Sequence, residues 1–181
     1  VGMTTVTIPS RVSLDVQKGG ALYVEYVSSG APRSYAVRVV GGADIPVLDL
    51  HGVGDEAERL ARCADYVRDL DEAVAALEAT HAEAGHAYGY DPRNCIANAT
   101  DVVGDTLMFS VPASQVLAGL GSGTVEERAA KVSHALAEAD EMMHLFYQHK
   151  GLGNLTAAEQ ERFGTRNGLP TARQNIRYMR M

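Results

Sequence analysis

Glutamate and histidine recur three positions apart in two segments of the chain. Glu78 lies three residues before His81, and Glu141 lies three residues before His144. Because residues three apart share a face of an α-helix, each step places a carboxylate beside an imidazole. Facing Glu-x-x-His steps hold carboxylate-bridged metals in helical bundles. These four residues are therefore candidate ligands for zinc, iron or manganese.

The apolar periodicity of the two segments argues against one shared ion. When each segment is aligned to heptads, His81 falls on the apolar seam of the first helix, whereas Glu141 and His144 face away from the seam of the second. Two arrangements would keep a metal: a second subunit that brings His144 to a symmetry axis, or the first helix together with Cys95. We favour solvated or helix-pairing histidines.

Two long helices must position these residues. Apolar residues spaced by three and four predict one helix over about residues 55–87 and another over about 125–149. Asp55 and Thr124, each followed three residues later by glutamate, predict the helix starts, and Thr156 predicts the start of a short third helix. The predicted seam of the second helix consists of Ala129, Val132, Leu136, Ala139, Met143 and Phe146.

The first fifty residues have the pattern of strands. Apolar and polar residues alternate between glycine and proline breaks, which predicts a β-meander over residues 6–40. A fourth strand over 45–50 is expected at a sheet edge because Pro46 has no backbone N–H. Residues 88–123 are predicted to be irregular except for one strand and one short helix, over 106–111 and 114–120.

We therefore predict a single α+β domain over residues 1–181. An N-terminal antiparallel β-meander in 1–54 is followed by two long antiparallel helices and a short helix in 55–163, with the irregular insert at 88–123. Residues 164–181 form a basic C-terminal extension.

Charge is unevenly distributed along the chain. Residues 55–145 carry seventeen acidic and six basic groups, whereas no acid follows Phe163. An acidic middle repels phosphates, so nucleic acid is disfavoured as a partner. The tail instead predicts contact with acidic surfaces of the protein itself, a second copy or another protein. The predicted partner-binding residues are Arg166, Arg173, Arg177, Tyr178 and Arg180.

The segment after the first long helix is the best candidate for contact with a small ligand. It supplies ring faces, hydroxyls, a guanidinium and an amide within nine residues, and binding residues concentrate in loops on rigid scaffolds. The predicted ligand-binding residues are His86, Tyr88, Tyr90, Arg93 and Asn94.

The composition of the chain indicates in which cellular compartment the protein is expected. No apolar run reaches the ~18 residues of a membrane span, the chain begins without a secretory pattern, and two cysteines make no disulfide framework. We therefore expect a cytoplasmic protein without membrane contact. Thirteen arginines against three lysines indicate GC-rich coding, typical of a high-GC bacterium or its phage.

Together these patterns predict a non-catalytic, homo-oligomeric binding or assembly protein without a cofactor. Each long helix carries more than one stripe of apolar or small residues, and a second copy would cover the stripe that the helix pair leaves open. The alternative is a metal-dependent protein that uses the Glu-x-x-His steps.

Metal analysis of protein purified without a histidine tag separates these hypotheses. If the metal hypothesis holds, the protein carries near-stoichiometric zinc, iron or manganese, and His81→Ala abolishes it because an imidazole ligand is lost. We expect no metal, including after reconstitution with each ion. Stoichiometric metal in the wild type that is lost from His81→Ala would contradict that expectation.

Overall fold

The computed structural model describes residues 44–83, 98–150 and 156–163, three short segments nearer the C-terminus, and residues 38, 40 and 41. The predicted β-meander therefore lies outside the described residues apart from Arg38 and Val40. The predicted ligand-binding loop also lies outside them.

The described strands form two sheets. They are β1 (Val47–Asp49), β2 (Thr100–Val103), β3 (Leu107–Val111), β4 (Thr165–Arg166), β5 (Leu169–Pro170) and β6 (Gln174–Arg177). The larger sheet has the order β1-β2-β3-β6, and β4 pairs with β5 in a separate ribbon. Strands β2 and β3 are antiparallel, whereas β1 pairs with β2, and β6 with β3, in parallel. The sheet is therefore mixed.

Strand β1 confirms the strand predicted over 45–50, and among the described strands it is an outer strand of the sheet. The expected antiparallel pairing is wrong for this strand. Its neighbour is β2, which comes after the first long helix and was predicted to be irregular. A parallel pair requires such a crossover connection. The sequence did not predict β2 because no apolar alternation marks it. The strand begins with Thr100 and Asp101, polar residues that are nevertheless buried.

Four helices complete the described part. They are α1 (Glu56–Glu83), α2 (Ala113–Leu120), α3 (Val125–His149) and α4 (Ala157–Phe163). The prediction of two long helices that pack together is confirmed. The Thr124 hydroxyl accepts from the Glu127 N–H, and the Glu127 carboxylate accepts from the Thr124 N–H, which is a complete capping box. At α1, Asp55 caps the Glu58 N–H at 2.8 Å, but the Glu58 carboxylate pairs with Arg62 instead.

One apolar core joins the sheet to the helices. Buried residues of α1 pack with those of α3, α2 and the strands, and the buried set includes three of the six residues of the predicted α3 seam, Ala129, Val132 and Leu136. Its members are Leu48, Leu50, Cys63, Tyr66, Val67, Leu70, Val74, Val102, Ala113, Leu120, Ala129, Val132 and Leu136. Burial raises the pKa of the Cys63 thiol, so this cysteine is a small core residue rather than a reactive one.

Two polar contacts set the register of α1 against α3. The Cys63 thiol lies beside the Ser133 hydroxyl. Farther along α1, Asp71 accepts two hydrogen bonds from Arg128, at 2.7 and 2.6 Å. Since the residue number rises along α1 while it falls along α3, the helices are antiparallel at this contact. The hydrogen bond from Arg128 lowers the pKa of the Asp71 carboxyl, and the Arg128 side chain is only 12% exposed.

A buried chain of hydroxyl groups ties α1 to the sheet. Thr100 Oγ1 donates to the Pro46 carbonyl at 2.8 Å. Because that bond uses the only proton of the Thr100 hydroxyl, the Tyr66 hydroxyl 3.0 Å away must be the donor to Thr100. Burial raises the pKa of Tyr66 to about 12, so its phenol remains a donor at neutral pH.

The turn between β2 and β3 is anchored to α3 by Asp140. The Asp140 carboxylate accepts hydrogen bonds from the Asp105 N–H at 3.1 Å and from the N–H and hydroxyl of Thr106 at 2.8 and 2.5 Å. Gly104 permits this approach, since a Cβ there would lie 2.7 Å from an Asp140 carboxylate oxygen and 3.1 Å from a Leu136 methyl group.

Gly104→Ala therefore should force the turn away from α3. We expect a loss of about 1–3 kcal/mol in the free energy of unfolding, as for other overpacked sites, measured by urea denaturation. Gly119→Ala is the matched control, because nothing lies within 4 Å of its Cβ position and alanine favours a helix by up to about 1 kcal/mol. Equal stability of the two variants would show that Gly104 is not a close-contact position.

Asp71→Asn should lower the melting temperature at pH 7, because it removes the charge that Arg128 stabilises. A carboxyl whose pKa is depressed on folding contributes stability above its ordinary pKa of 3.8, and this is lost as the pH falls through the lower folded value. The difference between the variant and the wild type should therefore narrow below about pH 4. Asp69→Asn, an exposed change of equal charge on the same helix, is the control. A difference that is independent of pH would contradict the ion-pair explanation.

Candidate functional site

Exposed apolar side chains cluster near the end of α3. Met142, Leu145 and Phe146 are 58%, 54% and 51% exposed, and they lie within five residues of one another. Residues three and four apart share a helix face, so these three form one surface, which we name the α3 apolar face. Phe146 was predicted to belong to the buried seam, and this assignment is wrong.

Phe146 is exposed because α3 extends past the start of α1, whereas Met142 and Leu145 lie off the predicted seam of α3. Ser133 lies opposite Cys63, and α1 begins at Glu56, seven residues before that cysteine. At equal rise per residue, the start of α1 lies opposite about residue 140 of α3. The last turns of α3 therefore have no α1 residues beside them, and the seam ends before Phe146.

Charged groups of opposite sign flank the α3 apolar face. Glu138 lies on its N-terminal side, 3.9 Å from His134, and both of those side chains are mostly exposed. His149 and Lys150 lie on its C-terminal side, where the Lys150 ammonium is 4.8 Å from the centre of the Phe146 ring. An apolar patch with charged ends is typical of an interaction surface.

A separate cluster of polar side chains lies between the end of β1 and the turn that joins β2 to β3. His51 Nδ1 is 3.4 Å from the Asp105 carboxylate, and the same carboxylate accepts from the Gly52 N–H at 2.8 Å. Asp49 accepts from the His51 N–H at 3.0 Å, and its carbonyl accepts from Arg62. These carboxylates are occupied by backbone amides, so the cluster holds the loop between β1 and α1 in place.

A histidine beside an aspartate can also move a proton in catalysis. His51 and Asp105 are both more than half exposed, however, and the Asp105 carboxylate already accepts a hydrogen bond from the Gly52 N–H. Within the described ranges, no three His, Cys, Asp or Glu side chains come together in a way that could hold a metal ion. We therefore interpret the cluster as a set of contacts that holds the loop between β1 and α1 in place.

The predicted metal ligands are far apart within one chain. Glu78 lies seven residues beyond Asp71 in α1, and Glu141 lies thirteen residues beyond Arg128 in α3, in opposite directions along the pair. At 1.5 Å per residue, the two glutamates are about 30 Å apart along the helix axis. Both are exposed, and His144 is half-buried. The side chain of His81 and the whole of Cys95 lie outside what the structure describes.

The other predicted residues fall at or beyond the edges of the described chain. His86, Tyr88, Tyr90, Arg93 and Asn94 lie outside it, as do Arg173, Tyr178 and Arg180. Arg166 belongs to β4 and Arg177 to β6. Part of the predicted basic extension is therefore a strand beside β3. The ligand-binding and partner-binding assignments stay predictions.

The exposure of Met142 and Leu145 was missed in the sequence. A signal was present, because both lie off the predicted seam yet are spaced as neighbours on one helix face.

Comparison with protein-family models, curated proteins and solved structures finds no match to this chain. In the described segments, every helix is too short or too polar to cross a bilayer.

Proposed function

We propose that this chain is a non-catalytic, homo-oligomeric binding or assembly protein whose subunits associate through the α3 apolar face. The observation that carries the proposal is the exposure of Met142, Leu145 and Phe146 on one side of a well-packed helix. Water contact with three large apolar side chains is unfavourable, and a protein contact would relieve it.

The expected strength of this contact follows from its size. Covering the exposed half of one large apolar side chain stabilises association by roughly 1 kcal/mol, and two copies contribute six such side chains. The gross gain of about 6 kcal/mol is near the low end of the ~4–15 kcal/mol that association costs. The α3 apolar face by itself would therefore associate with a Kd weaker than about 1 mM. An oligomer at micromolar concentration requires that neighbouring surface be buried together with this face, and the proposal includes that surface.

A binding role is favoured over catalysis by the kind of surface that is exposed. The α3 apolar face offers packing area with charged ends, whereas the carboxylates of Asp49 and Asp105 are already bonded to backbone amides. The predicted ligand-binding loop and basic tail remain the proposed contacts for a further partner.

Light scattering at tens of micromolar protein in low salt tests the proposal. The wild type should be larger than a monomer, and Leu145→Glu with Phe146→Glu should shift it to monomer, because buried carboxylates oppose the contact. Glutamate favours helices, so circular dichroism should be unchanged.

Ala137→Glu is the matched control. It places a glutamate at an exposed position of α3 outside the α3 apolar face. An oligomer that survives this change but is lost in the Leu145/Phe146 variant assigns assembly to the α3 apolar face. A wild type that is monomeric at this concentration refutes self-association.

A further inference from the structure

Four residues on one face of α3 are arranged symmetrically, with two apolar side chains between an acidic one and a basic one. Glu138, Met142, Leu145 and His149 are separated by four, three and four positions. At 3.6 residues per turn they lie within about 60° of one another around the helix axis. The two inner residues are exposed and apolar, and the two outer ones are ionisable with opposite sign.

This spacing is the same when it is followed from either end. A second α3 that runs antiparallel, with a twofold axis beside the midpoint of Met143 and His144, therefore places Met142 opposite Leu145 of the other copy. The alternation of four and three is also the spacing that lets two helices interlock along a left-handed seam. Phe146 flanks this seam on one side and enlarges the apolar contact.

The charges favour the antiparallel direction. In that arrangement Glu138 of each copy faces His149 of the other, with Lys150 one residue further, at both ends of the seam. A parallel pair would instead place Glu138 against Glu138 and His149 against His149. The existing neighbour of Glu138 does not prevent this, since its 3.9 Å contact with His134 is exposed and such pairs contribute little.

We infer that the partner of the α3 apolar face is a second copy of this chain, packed antiparallel so that Glu138 and His149 close both ends of a Met142–Leu145 seam. This inference rests on the proposed function and deepens it by naming the occupant and its direction. A surface that complements itself in shape and charge is the requirement for a twofold symmetric interface.

Cysteine cross-linking tests the direction of packing. Glu138→Cys and His149→Cys are made separately, mixed, allowed to exchange subunits and then oxidised, and the disulfide-linked dimers are identified by mass. The antiparallel pair predicts cross-linking only in the mixture. Within a dimer of Glu138→Cys alone, the two cysteines would be about 16 Å apart along the axis, beyond the ~7 Å that a disulfide can span.

The unmodified protein, treated identically, controls for its own cysteines. Self-cross-linking of Glu138→Cys would show a parallel pair and overturn the inference while self-association stands. An oligomer in which neither the single variants nor the mixture cross-links would also overturn it. A monomeric wild type would remove the proposed function as well, so the two failures are distinguishable.

A charge exchange provides the second readout. Glu138→Lys and His149→Glu should each weaken association by severalfold, because the first places a lysine near Lys150 of the other copy and the second places two glutamates together, at both ends of the seam. The double variant should recover it, since the lysine introduced in one copy would then face the glutamate introduced in the other. In a parallel pair the double variant would gain no contact between opposite charges and would associate no better than His149→Glu, and that result would overturn the inference.

Discussion

The antiparallel register of α1 and α3 is the constraint on which the rest of the described structure depends. It is fixed by the Cys63–Ser133 contact and by the two hydrogen bonds between Asp71 and Arg128. The charged pair sits at the edge of the apolar contact, where water is partly excluded, so it specifies alignment while the buried apolar residues supply most of the stabilising free energy. Shifting the register would separate the charged pair and misalign the core.

The same register determines which surfaces stay open. With α1 starting opposite about residue 140 of α3, the last turns of α3 extend beyond it, and the seam residue Phe146 is exposed there. Asp140 lies at this point of α3, and its carboxylate accepts hydrogen bonds from the Asp105 and Thr106 N–H groups of the β2–β3 turn. Buried residues of α3 lie before that point, and the exposed apolar side chains of Met142, Leu145 and Phe146 lie after it.

Buried hydrogen bonds between polar groups connect the mixed sheet to helix α1. Tyr66, Thr100 and the Pro46 carbonyl form a buried chain that joins α1, β2 and the start of β1. Each member has a partner, so burying these groups does not leave an unpaired donor or acceptor, which would be costly. These contacts fix the position of the sheet edge, whereas apolar packing alone would be less directional.

The sequence by itself determined the helices and their starts, because helix period and capping chemistry are local properties carried by neighbours such as Thr124 and Glu127. It also located β1, which is an outer strand among those that the structure describes. Only the tertiary structure decided the parallel neighbour of β1, since pairing across a crossover joins residues such as Leu48 and Val102 that are far apart in the chain. The tertiary structure likewise exposed Phe146, because the length of the partner helix, rather than the period of α3, sets where the seam ends.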